Sequence, residues 1–235
     1  MTAMTAEGLR FGGADARAPV DADDFLVGEG VVVVHEPGGD RAEAIGAMRN
    51  HLAAQHLAAG RRALALCSPT PGVGCTSLAV NLAVALAESG RKTLLVDADL
   101  RDPAVDLFIA PAFEVPGLRQ CLEGDRMDPE DAIQFDVFPD LSILYAGGAS
   151  DRPQELLATV RLAEVVAQCV RGFEAVVIDT PPSSLSADAR RLAGVAGHAL
   201  LVAGRDATFL SDLRLLADEL AADRVNVVGS VLSAG

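Results

Sequence analysis

The sequence has no tryptophan, a single tyrosine (Tyr145) and a single lysine (Lys92) among its 235 residues. The lack of lysine belongs to a wider shortage of positive charge: 19 lysines and arginines stand against 33 aspartates and glutamates, a formal net charge of -14. A protein that grips a phosphate backbone needs a basic face from which counterions are released, so nucleic acid is excluded as a partner. No apolar run approaches the ~18 residues needed to span a bilayer. The opening MTAMTAEGLRFGG has neither the basic stretch nor the apolar stretch of a secretory signal. The expectation is a cytoplasmic protein with no direct membrane insertion. Cys67, Cys75, Cys121 and Cys169 form no C-x-x-C pair, which removes both a disulfide framework and a zinc site and leaves reduced thiols. His51 and His56 lie five apart, a poor spacing for metal ligands on one helix face, and no histidine is assigned a site.

What is present is a chain half apolar and long enough for one sizeable core. Residues 1–24 are rich in Ala, Asp, Gly and Thr and poor in large apolar side chains, the composition of a disordered tail. Residues 25–235 read as a single α/β domain. Short, nearly continuous apolar runs alternate with helical periodicity, as in a largely parallel sheet covered by helices on both faces. The runs are VVVV (31–34), ALALC (63–67), TLLVD (93–97), LSILY (141–145), AVVID (175–179), ALLVA (199–203) and VNVVGSVL (225–232). Helices are expected over 43–59, 76–89, 153–170, 187–193 and 210–222, with Gly60, Gly90 and Gly172 closing the first three.

The chemistry gathers at three places. SPTPGVGCTS (68–77) runs from a strand through a Gly-rich turn into a helix N-terminus, where free N–H groups and the helix dipole favour an anion. Gly72 and Gly74 let the backbone approach closely; an unliganded tight turn is the plain alternative. LLVDADLRDP (94–103) puts Asp97 and Asp99 at the carboxyl end of a buried strand, the end at which open α/β sheets bind ligands. AVVIDTPP (175–182) puts Asp179 at the end of another, where a carboxylate can hold Mg²⁺ through water while Thr76 supplies a hydroxyl. A phosphate loop of this kind ends in Gly-Lys-Thr or Gly-Lys-Ser, and here the lysine position is Cys75.

In this order and spacing the three motifs resemble the Walker A, Walker A′ and Walker B motifs of the bacterial tyrosine kinase (BY-kinase) family, the cytoplasmic ATPase part of polysaccharide co-polymerases. HEPGGDRAEAIGAMRNHL (35–52), NLAVALAESG (81–90) and RPQELLAT (152–159) resemble further stretches of the family, so the likeness covers about residues 31–232. It implies a P-loop NTPase-like fold of the deviant Walker, MinD-like subgroup. ATP and Mg²⁺ are the implied cofactors: Pro71, Gly72, Gly74, Cys75, Thr76, Ser77 and Arg101 would bind nucleotide, Thr76, Asp97 and Asp179 would hold the metal, and Asp97 and Asp99 would be catalytic. The implied partners are a membrane-anchored chain-length determinant protein and further copies of the chain.

Three departures bear on activity. Cys75 removes a charge-assisted phosphate contact, a term of order 1.5–3 kcal/mol in binding and more in the transition state. Lys92 lies at the wrong end of its strand, some ~15 Å away at ~3.3 Å per residue; Arg101 is nearer but differs in reach. The family's tyrosine-rich carboxy terminus has no counterpart in VLSAG, Tyr145 reads as a half-buried structural residue, and Ser233 stands where the family has an adenine-contacting asparagine. In the family's assembly motif Glu43 and Arg49 match, but Gly46 replaces an arginine. A thiol at a helix N-terminus can be activated by the dipole, though a small neutral substitute for lysine needs no function. The reading that follows is a pseudokinase: an inactive, BY-kinase-like cytoplasmic protein, held at the inner membrane by its partner, that regulates exopolysaccharide synthesis of the capsule or holdfast type. The alternatives are an active ATP-dependent tyrosine kinase or ATPase of the same system, and a MinD/ParA-like positioning ATPase.

Overall fold

The computed structural model describes residues 25–123 and 127–233; the expected tail, 1–24, lies outside them. In chain order the elements are β1 (Phe25–Val27), α1 (Val32–His35), α2 (Asp40–Gln55), β2 (Ala63–Cys67), α3 (Cys75–Glu88), β3 (Thr93–Asp97), β4 (Ile109–Pro111), α4 (Leu118–Leu122), α5 (Pro129–Ala132), β5 (Gln134–Phe138), β6 (Leu141–Leu144), α6 (Pro153–Leu157), α7 (Val160–Gly172), β7 (Ala175–Asp179), α8 (Asp188–Ala196), β8 (His198–Gly204), α9 (Leu210–Ala222) and β9 (Asn226–Ser233). Seven strands form one sheet in the order β5-β6-β3-β7-β2-β8-β9, parallel except for β5, while β1 and β4 pair as a separate antiparallel ribbon. The sheet is therefore mostly parallel and covered by helices on both faces, the P-loop type expected.

Alternation along each strand divides the core. In β2, Ala63, Ala65 and Cys67 face the layer built with α4 to α9, and Leu64 and Leu66 face the layer built with α1 to α3. Helix α3 is buried almost throughout, from Ala79 to Ala87. At its end Gly90 takes φ 77°, the left-handed conformation anticipated there.

The run VVVV is a correction: it is not a strand but begins helix α1, with Val31, Val32 and Val33 buried. The cause is tertiary. Asn81, on α3, donates from Nδ2 to the Gly30 carbonyl at 2.9 Å and accepts the Val33 N–H at 3.2 Å, turning the valines into a helical turn against α3. Four β-branched residues prefer a strand, but here packing decides. The helix expected over 153–170 is two helices, because Thr159 adopts extended backbone as the N-cap of α7 and returns its hydroxyl to the Leu156 carbonyl at 2.7 Å. Gly172 is the last residue of α7, which ends on the extended backbone of Phe173 without a left-handed glycine. The expected helix over 43–59 starts earlier, at Asp40, and breaks into a 3-10 turn over Leu57–Ala59 that Gly60 closes at φ 76°. Strands β1, β4 and β5 were not anticipated; they are short, and β5 is only partly buried. On α2, Gly46 has open space around its Cα, and Arg49 is turned onto Asn50 Oδ1 at 3.0 and 3.1 Å.

Candidate functional site

Parallel strands deliver their carboxyl ends to one edge, and the loops leaving β2, β3, β7 and β8 meet there with the end of β9. The loop after β2 is held by hydrogen bonds from distant segments. The Ser68 carbonyl accepts the Ser183 N–H at 2.8 Å, and the Thr70 hydroxyl accepts from Thr208 Oγ1 at 3.0 Å. Gly72 and Gly74 have φ of 71° and 84°, which an L side chain rarely adopts, so the turn depends on glycine at both. Val73 points inward, buried, against Gly204 of β8; a Cβ on Gly204 would stand 2.6 Å from Val73 Cγ1. Helix α3 then starts at Cys75 with no side-chain cap, which leaves its first N–H groups available to an anion.

Register places the acidic residues. Asp97 and Asp179 end adjacent strands as direct partners, and Asp179 also pairs with Leu66 at the end of β2. Asp179 is buried. Thr76 and Cys75, at the start of α3, stand next to it and favour its charged form, but its Oδ1 has no hydrogen-bond partner among the described residues. Burial raises its pKa to about 7, and the charge of Asp99 pushes in the same direction. Asp97 is equally buried, yet both its oxygens are occupied: Oδ1 accepts the Asp99 N–H at 3.2 Å, and Oδ2 accepts those of Ala104 and Val105 at 3.2 and 3.1 Å. It fixes the loop that follows β3, and its pKa too is raised by burial and by Asp179. Asp99, half-buried, uses Oδ1 for the N–H groups of Arg101 and Asp102.

Three residues bear on the cation that the loop has lost: Cys75, Arg101 and Lys92. Cys75 directs Sγ back to the Leu66 carbonyl at 3.5 Å. Burial and the nearby Asp179 drive its pKa well above the ordinary thiol value, opposite to the helix-dipole activation considered above. Arg101 turns away from the loop: its Nε and Nη2 lie 2.9 and 2.8 Å from Asp188 Oδ2, which also accepts the Ser186 hydroxyl at 2.9 Å. Lys92 is at the opposite edge, where its carbonyl accepts the N–H groups of Glu174 and Ala175 at the start of β7.

The structure thus brings together Pro71, Gly72, Gly74, Cys75, Thr76, Asp99 and Asp179. Ser77 sits one position further along α3, its carbonyl accepting from Asn81 at 2.8 Å. Asp97 is adjacent but occupied by backbone, and Arg101 is committed elsewhere. Ser233, at the end of β9, lies beside the loop, its Oγ 3.5 Å from where a Cβ on Gly74 would be. Sequence reasoning missed Asp188, which is fully buried and holds Arg101; the available signal was Ser186-Ala187-Asp188 at the start of α8. It also missed Thr180, whose hydroxyl donates to the Leu66 carbonyl at 2.7 Å. Tyr145 is buried, with its hydroxyl donating to the Ile109 carbonyl at 2.8 Å. Among the described residues no cluster of three or more His, Cys, Asp or Glu is placed to hold a metal ion, and no helix is long and apolar enough to cross a membrane.

Comparison with known proteins bears on this geometry. The sequence model for the CobQ/CobB/MinD/ParA nucleotide binding domain matches residues 64–203, from β2 to the end of β8. The chain is 32% identical over 198 residues to the putative tyrosine-protein kinase EpsB of Ralstonia solanacearum, covering 84% of this chain and 26% of that protein. It is 36% identical over 177 residues to the succinoglycan biosynthesis transport protein ExoP of Rhizobium meliloti, covering 73% of this chain and 22% of that one. It therefore spans about a quarter of the length of these relatives. Among solved structures, the VpsO kinase domain superposes with a TM-score of 0.74 at 30% identity, covering 83% of this chain and 96% of that one.

Proposed function

Because the chain belongs to the CobQ/CobB/MinD/ParA nucleotide-binding family and within it lies close to bacterial tyrosine kinase domains, we propose that it has lost phosphoryl transfer and serves exopolysaccharide synthesis, of the capsule or holdfast type, as a non-catalytic cytoplasmic partner of a membrane-anchored chain-length protein. The name of the Rhizobium meliloti relative supports the polysaccharide context. The observation that carries the loss of catalysis is the side chain of Cys75, short, neutral and bonded back to Leu66. Arg101 is committed to Asp188 and the single lysine, Lys92, stands at the far edge, so neither replaces the loop lysine. Phosphoryl transfer depends on such charge more in the transition state than in the bound substrate, so turnover is lost before binding.

One observation favours a second reading, an active ATPase. The unpartnered Oδ1 of Asp179, beside the Thr76 hydroxyl, fits a divalent cation, and the glycine turn with the uncapped start of α3 fits a phosphate. Mg²⁺ held by Thr76 and Asp179 would neutralise charge between phosphate oxygens. The cationic member of the donor set is missing, and the first reading rests on that.

Calorimetric titration with Mg-ATP and Mg-ADP, beside Cys75→Lys, separates the two. Under the proposal the wild type binds weakly or not at all, does not hydrolyse ATP even with a chain-length protein present, and the variant gains at least tenfold in affinity. Hydrolysis by the wild type would establish the second reading.

A further inference from the structure

The amino edge of the sheet, where β2, β7 and β8 begin, holds a pair of histidines remote from the glycine loop. His56 stands at the C-terminal end of α2, and His198 opens β8. Their rings meet edge to face, with centroids 4.6 Å apart. His56 is 2% exposed, and His198 is half-buried. The Nε2 of His56 lies 3.3 Å from the Ala63 carbonyl at the start of β2, and a carbonyl only accepts, so the proton of the neutral ring is on Nε2. That leaves His56 Nδ1 as a bare acceptor, buried and without a partner among the described residues. It is the atom to which a second proton would add.

The surroundings favour the neutral ring. From β8 it faces His198, and from the approach to β2 it faces Arg61 and Arg62, the latter with Nη1 3.3 Å from the Val170 carbonyl. The wall given by α2, α3 and β7, with Leu52, Leu86 and Ala175 to Val177, is apolar. Glu174, just before β7, is turned to the Lys92 N–H at 3.1 Å. Among the described residues no carboxylate acts on the ring. Burial, His198 and Arg61 together hold the His56 pKa below its ordinary value of 6.5, against the single opposing pull of the Ala63 carbonyl.

We propose that the His56–His198 pair is a proton-sensitive latch: with both rings neutral it holds the end of α2 and the 3-10 turn Leu57–Ala59 against β2 and β8, and in mild acid a proton on His56 Nδ1 releases that turn. The backbone does little to fasten the turn to the sheet. The amides of His56, Ala59 and Gly60 bond within the segment itself, to the carbonyls of Leu52, His56 and Leu57. The open turn binds a proton at the ordinary value of 6.5 and the closed turn only below it, so closure is undiminished well above that pH and weakens as pH falls through it. The sign is opposite to that of Asp179, whose protonation in acid favours the fold. Acid thus loosens the helix that carries Glu43 and Arg49 while the loop at the far edge keeps its packing.

Hydrogen exchange of the full chain at pH 7.5 and pH 5.5, with each amide's rate divided by its intrinsic rate, tests this. The amides of His56, Ala59 and Gly60 are expected to open several-fold more at the lower pH. The ceiling is about tenfold, the ratio of open-state protonation at the two pH values for a group titrating at 6.5. Amides of α3 should not accelerate. His56→Phe should flatten the response. His198→Asn should reduce it and raise the midpoint of the His56 ring, followed by NMR, towards 6.5. Should His56→Phe fail to fold, the ring titration and His198→Asn carry the comparison. Equal exchange at the two pH values, an acceleration retained in His56→Phe, an equal acceleration in α3, or a wild-type His56 midpoint at or above 6.5 would each overturn the latch. These outcomes are independent of the proposed loss of phosphoryl transfer, which is read from ATP hydrolysis.

Discussion

Replacing Asp179 with asparagine should stabilise the protein, and increasingly so as pH rises. In the folded state this carboxyl keeps its proton up to about pH 7, because burial and Asp99 oppose ionisation; in the unfolded chain it titrates at the ordinary carboxylate value of 3.8. Between those values the folded state holds the extra proton, so stability falls as pH climbs. Below about pH 4 the penalty is absent, and above about pH 7 it is complete. At about 1.4 kcal/mol per pH unit, the interval sets a ceiling of ~4 kcal/mol on what ionised Asp179 costs the fold at pH 8. Asparagine keeps the shape and removes the charge, though its amide inherits a site with one unpartnered oxygen. A gain of ~2 kcal/mol at pH 8 is therefore expected, or about 4–8 °C in Tm for a chain of this length. Urea unfolding of both proteins, followed by circular dichroism from pH 5 to pH 8, reads it directly. Asp97 shifts in the same direction partly because of the Asp179 charge, so asparagine at 179 relieves Asp97 as well and adds to the gain, whereas the burial of Asp97 and Asp99 is common to both proteins. A gain that is absent at pH 8, or constant across the range, would refute the reasoning.

Other outcomes follow from the same geometry. Arg101→Ala should cost about 2–3 kcal/mol in urea unfolding, since it leaves the fully buried Asp188 with Ser186 alone on Oδ2, and it should leave nucleotide affinity unchanged because the guanidinium does not reach the loop. Gly204→Ala should destabilise by about 1–3 kcal/mol through collision with Val73, and Val73→Ala should restore most of the loss in a double-mutant cycle. Alkylation of Cys75 at pH 7.5, followed residue by residue by mass spectrometry, should run at least tenfold slower in the native protein than in denaturant, as its raised pKa and contact with Leu66 require.

The parts of the fold legible in the sequence were those written locally. Buried parallel strands need apolar side chains on both faces, so ALALC, TLLVD and AVVID announced themselves, and the carboxylates ending two of them marked the edge where chemistry gathers. Glycines with positive φ fixed the loop because no other residue sits there without strain. What the sequence did not disclose depends on partners distant along the chain. The valines at 31–34 fold as a helical turn through Asn81, about 50 residues away. Arg101 looked free until Asp188, 87 positions on, was seen to hold it. The exhaustion of Asp97 by three backbone N–H groups depends on the path of the loop after β3, which no local pattern encodes.

The anchoring of the loop by Thr208, 138 positions beyond Thr70, has a kinetic meaning. Contacts of such separation close the longest loops and form late, whereas the strand and helix flanking the glycine turn are joined by short-range ones. The turn therefore acquires its shape only after α9 and β9 have docked, and it is among the first features lost when they detach. Amide exchange in residues 70–74 should keep pace with that of the last quarter of the chain rather than with the adjoining core of α3.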